Sequence, residues 1–393
     1  MDCNEPKILI DKAKDKDEDA ACEIEINDTT PDETGEIDEP LMEDPFNPAE
    51  IKIITKQDTL RNLIERLRHN EIDMNTDFQR HAELWDTQKM SRLIESILIR
   101  FPLPAFYFDA SLDDKWLIVD GLQRLSSIRK FVLEKSDKKL RLRGLEYLKE
   151  FNGKPFDELH RNYQRRIDEC PVTLFLIQPG TPEKVKYSIF RRINTGGLVL
   201  TDQEIRNAMA KPEIRAYLKK LAADEYLIKT VGDQTKRMID QELVLRFLAF
   251  YFMDYEANKK NITNYLDEMV DKLVKSKKQD LDLYETTFRI AIRRCWQIFE
   301  DAAFEKRTVD AKNKRRRKNS TLFEVWSVAL GKLTEEEINI LIERKEELNE
   351  RHLQLMAIDN EYFRSITYST QKRDHFRIRR DKVNQIIKEV LNA

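Results

Sequence analysis

The sequence predicts an α+β domain followed by an all-α region. Three observations carry this. Strand-like and helix-like runs alternate between about residues 50 and 200, only helical spacing recurs after Leu200, and residues 1–45 lack the apolar content of a core. The expected division is an acidic tail at 1–45, a small mixed domain at 46–200 and a helical domain at 201–393.

The tail is rich in Asp and Glu and broken by Pro31, Pro40 and Pro45, a composition that buries too little apolar surface to offset chain ordering. "IKIITKQDTLRNLIERLRHNEI" then gives a β-like run and a helix with Leu60, Leu63, Ile64 and Leu67 on one face and Thr59 as N-cap. "DTQKMSRLIESILIRF" repeats that spacing at Met90, Leu93, Ile94 and Ile97, with Asp86 or Thr87 as cap. "FPLPAFYFDA" reads as extended, because proline disfavours helix in the residue before it. A turn at Ser111–Asp114 leads to the strand "KWLIVD", and "PVTLFLIQ" is another strand. "TPEKVKYSIFRRINTGG" reads as a helix stopped by Gly196-Gly197, and Thr201 and Glu204 form a capping box for the helix after it. From there to the C-terminus the segments beginning "QELVLRFLAFYF", "ITNYLDEMV", "LYETTFRIAIRR", "LTEEEINILIER" and "RRDKVNQIIKEVL" are helical. The aromatic cluster Phe247–Tyr255 and Trp85, Trp116, Trp296 and Trp326 read as core anchors.

The net charge of −3 conceals an asymmetry. Residues 1–50 hold 18 acids against 4 lysines and no arginine, a net of −14, so residues 51–393 carry 65 bases against 54 acids, a net of +11. A basic body beneath an acidic leader suits nucleic acid or nucleotide phosphates as partners, although charge-rich helices that are merely soluble would look the same. Mean hydropathy is −0.64 and no apolar run approaches the roughly 20 residues of a membrane span. The start MDCNEPK has no signal-peptide pattern, and Cys3, Cys22, Cys170 and Cys295 stand too far apart for a disulfide framework or zinc site, so a reducing cytoplasm is the expected home. The five histidines form no pair at ligand spacing, which predicts no metal centre, and a P-loop is absent. His375, in "QKRDHFRIRRDK", reads as a solvated start of a basic helix.

The stretch that concentrates chemistry is "WLIVDGLQRLSSIRKF". A strand-to-helix junction presents free backbone N–H groups and the positive end of the helix dipole, both suited to phosphate. Gly121 permits close backbone approach, Arg124 can fork onto two phosphate oxygens, and Gln123 and Ser126 add polar contacts. Taken alone the stretch is equally a helix with Asp120 as its N-cap. Two further segments weigh against that reading: "FQRHAELWD", with Gln79-Arg80 ahead of Trp85, and "FRRINTGGLVLTDQEIRNA", with Arg191, Arg192, Asn194 and Thr195 against a glycine pair.

Together the three segments resemble the GmrSD-type restriction N-terminal family, whose hallmark is Asp-Gly-Gln-Gln-Arg after a strand. Leu122 replaces the first Gln of that hallmark here, and Phe78 an upstream Tyr. The resemblance implies a ParB/sulfiredoxin-like α+β fold whose turn binds and hydrolyses nucleotide in a defence system acting on DNA. Carried over, Asp120, Gln123 and Arg124 are the catalytic candidates. Arg80, Gly121, Ser126, Arg192 and Asn194 are the nucleotide-binding ones, and the cofactor is an NTP with or without Mg2+. DNA is the expected macromolecular partner, no membrane is expected, and a separate nuclease subunit fits the lack of a His-Asn-His element. The basic run Lys312–Ser320, with Lys314, Arg315, Arg316, Arg317 and Lys318, is the DNA-contact candidate, a linker being the alternative. A non-enzymatic DNA-binding adaptor and a ParB-like nuclease using Asp120 are the rival readings.

Overall fold

The computed structural model describes residues 24–25, 48–74, 85–112, 114–135, 137–193, 201–257, 261–306 and 318–393. In chain order the first elements are β1 (Ile24–Glu25), β2 (Ile53–Thr59), α1 (Leu60–Arg68), β3 (Ile72–Asp73), α2 (Thr87–Leu98), β4 (Phe106–Asp109) and β5 (Trp116–Asp120). Next come α3 (Leu122–Val132), α4 (Arg161–Asp168), β6 (Pro171–Ile177), α5 (Glu183–Ile193) and α6 (Asp202–Met209). An α+β unit followed by a helical region is therefore what the chain folds into.

Five strands form one mixed sheet in the order β2-β6-β4-β5-β3. The pairs β2–β6 and β4–β5 are antiparallel, whereas β4–β6 and β3–β5 are parallel. Strand alternation sorts two cores onto the two faces. Phe106, Phe108, Trp116, Ile118, Val172, Leu174 and Leu176 pack with the buried faces of α1, α2, α3 and α4. On the other face Val119 and Ile177 pack with Tyr187 and Phe190 of α5 and Ile205 and Ala208 of α6. The β4–β5 ladder slips between Tyr107 and Phe108, whose partners are Asp120 and Ile118, so Val119 is an extra residue. A bulge of this kind bends the end of its strand and re-aims the adjoining turn. Here that turn is Asp120–Arg124.

The helical region comprises α7 (Pro212–Ala222), α8 (Glu225–Val231), α9 (Ile239–Phe252), α10 (Ile262–Lys275) and α11 (Lys278–Phe299), then the short strand β7 (Lys318–Asn319). It closes with α12 (Ser320–Gly331), α13 (Glu335–Glu343), α14 (Lys345–Ile358), α15 (Asn360–Ser365) and α16 (Arg373–Asn392). Phe247, Phe250 and Tyr255 lie in its core with Trp326, as their spacing predicted. At its centre Glu324 of α12 accepts from Arg246 of α9 and, at 3.2 Å, from Arg379 of α16. All three are at most 2% exposed, so breaking this set leaves charge stranded in the core. Among the described residues no helix is long and apolar enough to cross a membrane.

Several local expectations meet corrections. Thr59 stands at the N-cap of α1 but makes no side-chain cap bond; Asp58, one residue earlier, accepts from the Thr59 amide at 2.8 Å and from the Asn62 side chain. Asp86, of the two candidates, caps α2, accepting from the Lys89 amide at 2.7 Å. Helix α4 escaped the sequence reading because "RNYQRRID" buries only Ile167. His375 is half-buried rather than solvated; burial lowers its pKa, and its Nδ1 lies 2.9 Å from the Tyr368 carbonyl oxygen.

Candidate functional site

The site is built where β5 ends. Gly121, not Asp120, is the N-cap of α3, at φ +103°, a left-handed conformation that L side chains rarely adopt. A Cβ there would stand 2.4 Å from Cδ1 of Phe106, so the ring and the backbone angle both require glycine. Among the described residues no side-chain cap bond is made at the start of the 11-residue α3. Its first-turn N–H groups, which have no intrahelical partners, therefore point outward from the turn with the positive end of the dipole.

Arg124 faces inward. It is 8% exposed, donates from Nη1 to the Pro104 carbonyl and from Nη2 to the Ala105 carbonyl at 3.1 Å, and lies 4.5 Å above the Phe106 ring. Nη2 also donates to Oδ2 of Asp120 at 2.8 Å. Burial lowers the Arg124 pKa, and Asp120 offsets part of that effect. The guanidinium is thus a latch that pins the segment before β4 to the turn after β5. A free fork for two phosphate oxygens, as the sequence suggested, is not its geometry here. Asp120 itself stays accessible, its side chain 35% exposed, with only Oδ2 engaged among the described residues.

Gln123 reaches a second motif. Its Oε1 accepts from the Trp85 amide at 3.3 Å, tying the entry of α2 to the turn. Trp85, near the end of "FQRHAELWD", is thereby brought to the "DGLQR" turn; residues 78–84 of that segment lie outside the described residues. Ser126, 9% exposed, is turned into the fold.

The third motif packs behind β5. Thr201 and Glu204 make the expected capping box, at 2.7 and 3.1 Å. Arg191 donates to Asp202 at 2.9 Å and to Asp267 of α10 at 3.4 Å, and the fully buried Arg206 donates to Asp267 at 2.7 Å. Burial alone would raise the Asp202 pKa; Arg191 and Arg206 outweigh it and hold the carboxyl below its ordinary value. The sequence reading named Arg191 in this motif but assigned only Arg192, which is exposed, to the nucleotide site, and passed over Arg206; Arg191 and Arg206 join the sheet domain to the helices. It also passed over Lys186, whose Nζ lies 3.0 Å from Asp109 in a buried pair between α5 and β4. A basic residue one helical turn from a buried face was the available signal for each.

Arg80 and Asn194 lie outside the described residues, as do Lys314, Arg315, Arg316 and Arg317. Lys318 corrects the expectation for the basic run. It is 4% exposed, and its Nζ donates to the Asp301 and Ala303 carbonyls and pairs with Glu305 at 3.5 Å, so it is a strut rather than a DNA contact. Among the described residues no group of three or more His, Cys, Asp or Glu gathers as a metal site.

Residues 60–211 match the family model described as the GmrSD restriction endonuclease, N-terminal domain. The segment is a GmrSD-type N-terminal domain. The match bears out the family read from the three motifs and runs from the first residue of α1 to just past α6. A search of curated proteins gave no match. In this GmrSD-type domain the turn at Asp120–Arg124 is the place where an uncapped helix start, an accessible carboxylate and a positive-φ glycine coincide.

Proposed function

We propose that the chain is a nucleotide-binding, NTP-hydrolysing component of a GmrSD-like restriction system that acts on DNA in defence against phage. The observation that carries the nucleotide assignment is the uncapped start of α3 at the Asp120–Arg124 turn. An anionic phosphate is the ligand such a terminus favours, since main-chain N–H groups and dipole both face it. In this reading the first-turn amides hold the phosphates, and Asp120 orients the attacking water or an Mg2+ ion. Gln123 holds Trp85, at the entry of α2, beside the turn, and Arg124 positions Asp120. The body's net charge of +11 outside residues 1–50 supports DNA as the larger partner, with the basic run at 312–317 among its contacts and a separate nuclease subunit performing cleavage.

The test is phosphate release from ATP, GTP, CTP and UTP, with and without DNA, by wild type and Asp120→Asn. Release from at least one nucleotide that falls by about 10²-fold or more in the variant is the expected result, the range for loss of one preorganised charged group. Release indifferent to Asp120, or no release from any nucleotide while DNA still binds, would overturn the assignment. The second outcome would make the turn a phosphate clamp and the protein a non-enzymatic DNA binder.

A further inference from the structure

The acidic leader touches the folded body at one described place. Ile24–Glu25 pairs in parallel with β7, in the register Ile24 with Lys318 and Glu25 with Asn319. Ile24 is half-buried against the helical core. The opposite edge of β7 is already taken: Glu305 bridges to Lys318, and the Asn319 amide donates to the Phe304 carbonyl at 2.9 Å. So β7 is a strut fixed on one side that offers a single open edge, and an open strand edge is a template for an added strand.

The direction of pairing matters more than its length. In a parallel ladder the residues before each strand enter from the same end. Those before Ile24 include Asp15, Asp17, Glu18, Asp19 and Glu23; those before Lys318 are Lys312, Lys314, Arg315, Arg316 and Arg317. An antiparallel ladder would instead have sent the acidic flank away from the basic one.

We propose that the β7 edge is the docking site of the chain's own residues 24–25, and that this seating makes the acidic leader an intramolecular competitor of polyanions for the basic body. The masking half of the proposal rests on DNA being a partner, as argued above; the docking half does not. A two-residue ladder is short enough for a strongly bound polyanion to displace, so the leader sets a threshold rather than a block.

Two full-length variants test it: Ile24→Asp, which removes the apolar anchor and keeps the leader acidic, and a variant with Asp15→Asn, Asp17→Asn, Glu18→Gln and Asp19→Asn, which keeps the anchor. Docking is read without DNA, as the rate of glutamyl-endopeptidase cleavage after Glu25, each rate divided by that of the matching free peptide. Ile24→Asp is expected to raise this ratio by about tenfold, because a paired strand is cut only when it opens. Equal ratios would overturn the docking. Masking is read as affinity for a labelled duplex. Both variants are expected to bind at least ~3-fold more tightly than wild type at ~50 mM salt and alike at ~300 mM, as a screened charge effect requires. Equal affinities at low salt would overturn the masking. If no form binds the duplex, the DNA reading falls, and the cleavage ratio still decides the docking.

Discussion

Replacing Arg124 by alanine is expected to weaken the domain before any ligand is considered. The change strips partners from the Pro104 and Ala105 carbonyls and removes a cation held 4.5 Å above Phe106. Pro104 is exposed and Ala105 half-buried, so water can reach the two freed carbonyls, and each lost bond costs about 0.5–1 kcal/mol. The ring contact contributes about 0.5–1 kcal/mol. Asp120 adds little, since its side chain is 35% exposed and water replaces the lost pairing. The total is about 2 kcal/mol, which lowers Tm by about 4–8 °C for a cooperative unit of ~150–250 residues. The assay is a thermal scan followed by tryptophan fluorescence, since Trp116 lies in the core that α3 covers and the half-buried Trp85 packs against it. Phosphate release is measured in parallel on the folded protein, with Arg124→Lys as comparator; lysine keeps the charge but not the fork, and is expected to recover less than half of the lost stability. A Tm for Arg124→Ala within ~2 °C of wild type would refute the latch. Joined to lost turnover, that result would return Arg124 to direct work on phosphate.

Gly121→Ala tests the turn itself: a non-glycine residue at φ +103° costs about 1–2 kcal/mol, and displacing the Phe106 ring from 2.4 Å costs about 1–3 more. A urea-unfolding loss under ~1 kcal/mol would mean the turn holds another conformation. Asp240→Asn tests a buried acid whose pKa burial raises from 3.8 to about 6. Between those values the folded state holds a proton that the unfolded state has released, so wild-type stability falls as pH rises from about 4 to about 6 and levels off above. The asparagine variant is expected to lose that slope, roughly 2–3 kcal/mol across the window, and identical pH profiles for the two proteins would refute the burial argument.

Much of this architecture was legible because local rules and tertiary packing agree in it. The strands at 106–109, 116–120 and 171–177 track the apolar runs, and the Thr201–Glu204 box formed as its spacing required. Helix α4 was not legible, since it is held by contacts distant in sequence and shows almost no apolar period of its own. The site was half legible. Motif order brought Asp120, Gly121, Gln123 and Trp85 to one junction, but composition does not encode which way an arginine turns. Arg124 on a helix start reads as a solvent-facing cation until the bulge at Val119 and the carbonyls of Pro104 and Ala105 are seen to draw it in. Lys318 failed for the same reason, closing a run of cations yet satisfying three oxygens in the interior.

The inward turn of Arg124 changes what a ligand at this junction would meet. An arginine free to fork onto phosphate would make affinity depend mainly on charge, and any polyanion would serve. With the guanidinium committed to two carbonyls and to Asp120, the positive character facing outward comes from main-chain N–H groups in a fixed geometry, set beside an accessible carboxylate. Fixed dipoles favour a compact anion that fits between them, and an adjacent carboxylate penalises one that does not bring a cation or a water to share. Under the proposed function, that combination suits a nucleotide's phosphate chain better than a bare DNA phosphate. The identity of the first group that Asp120 touches, water or metal, then becomes the quantity that decides the chemistry.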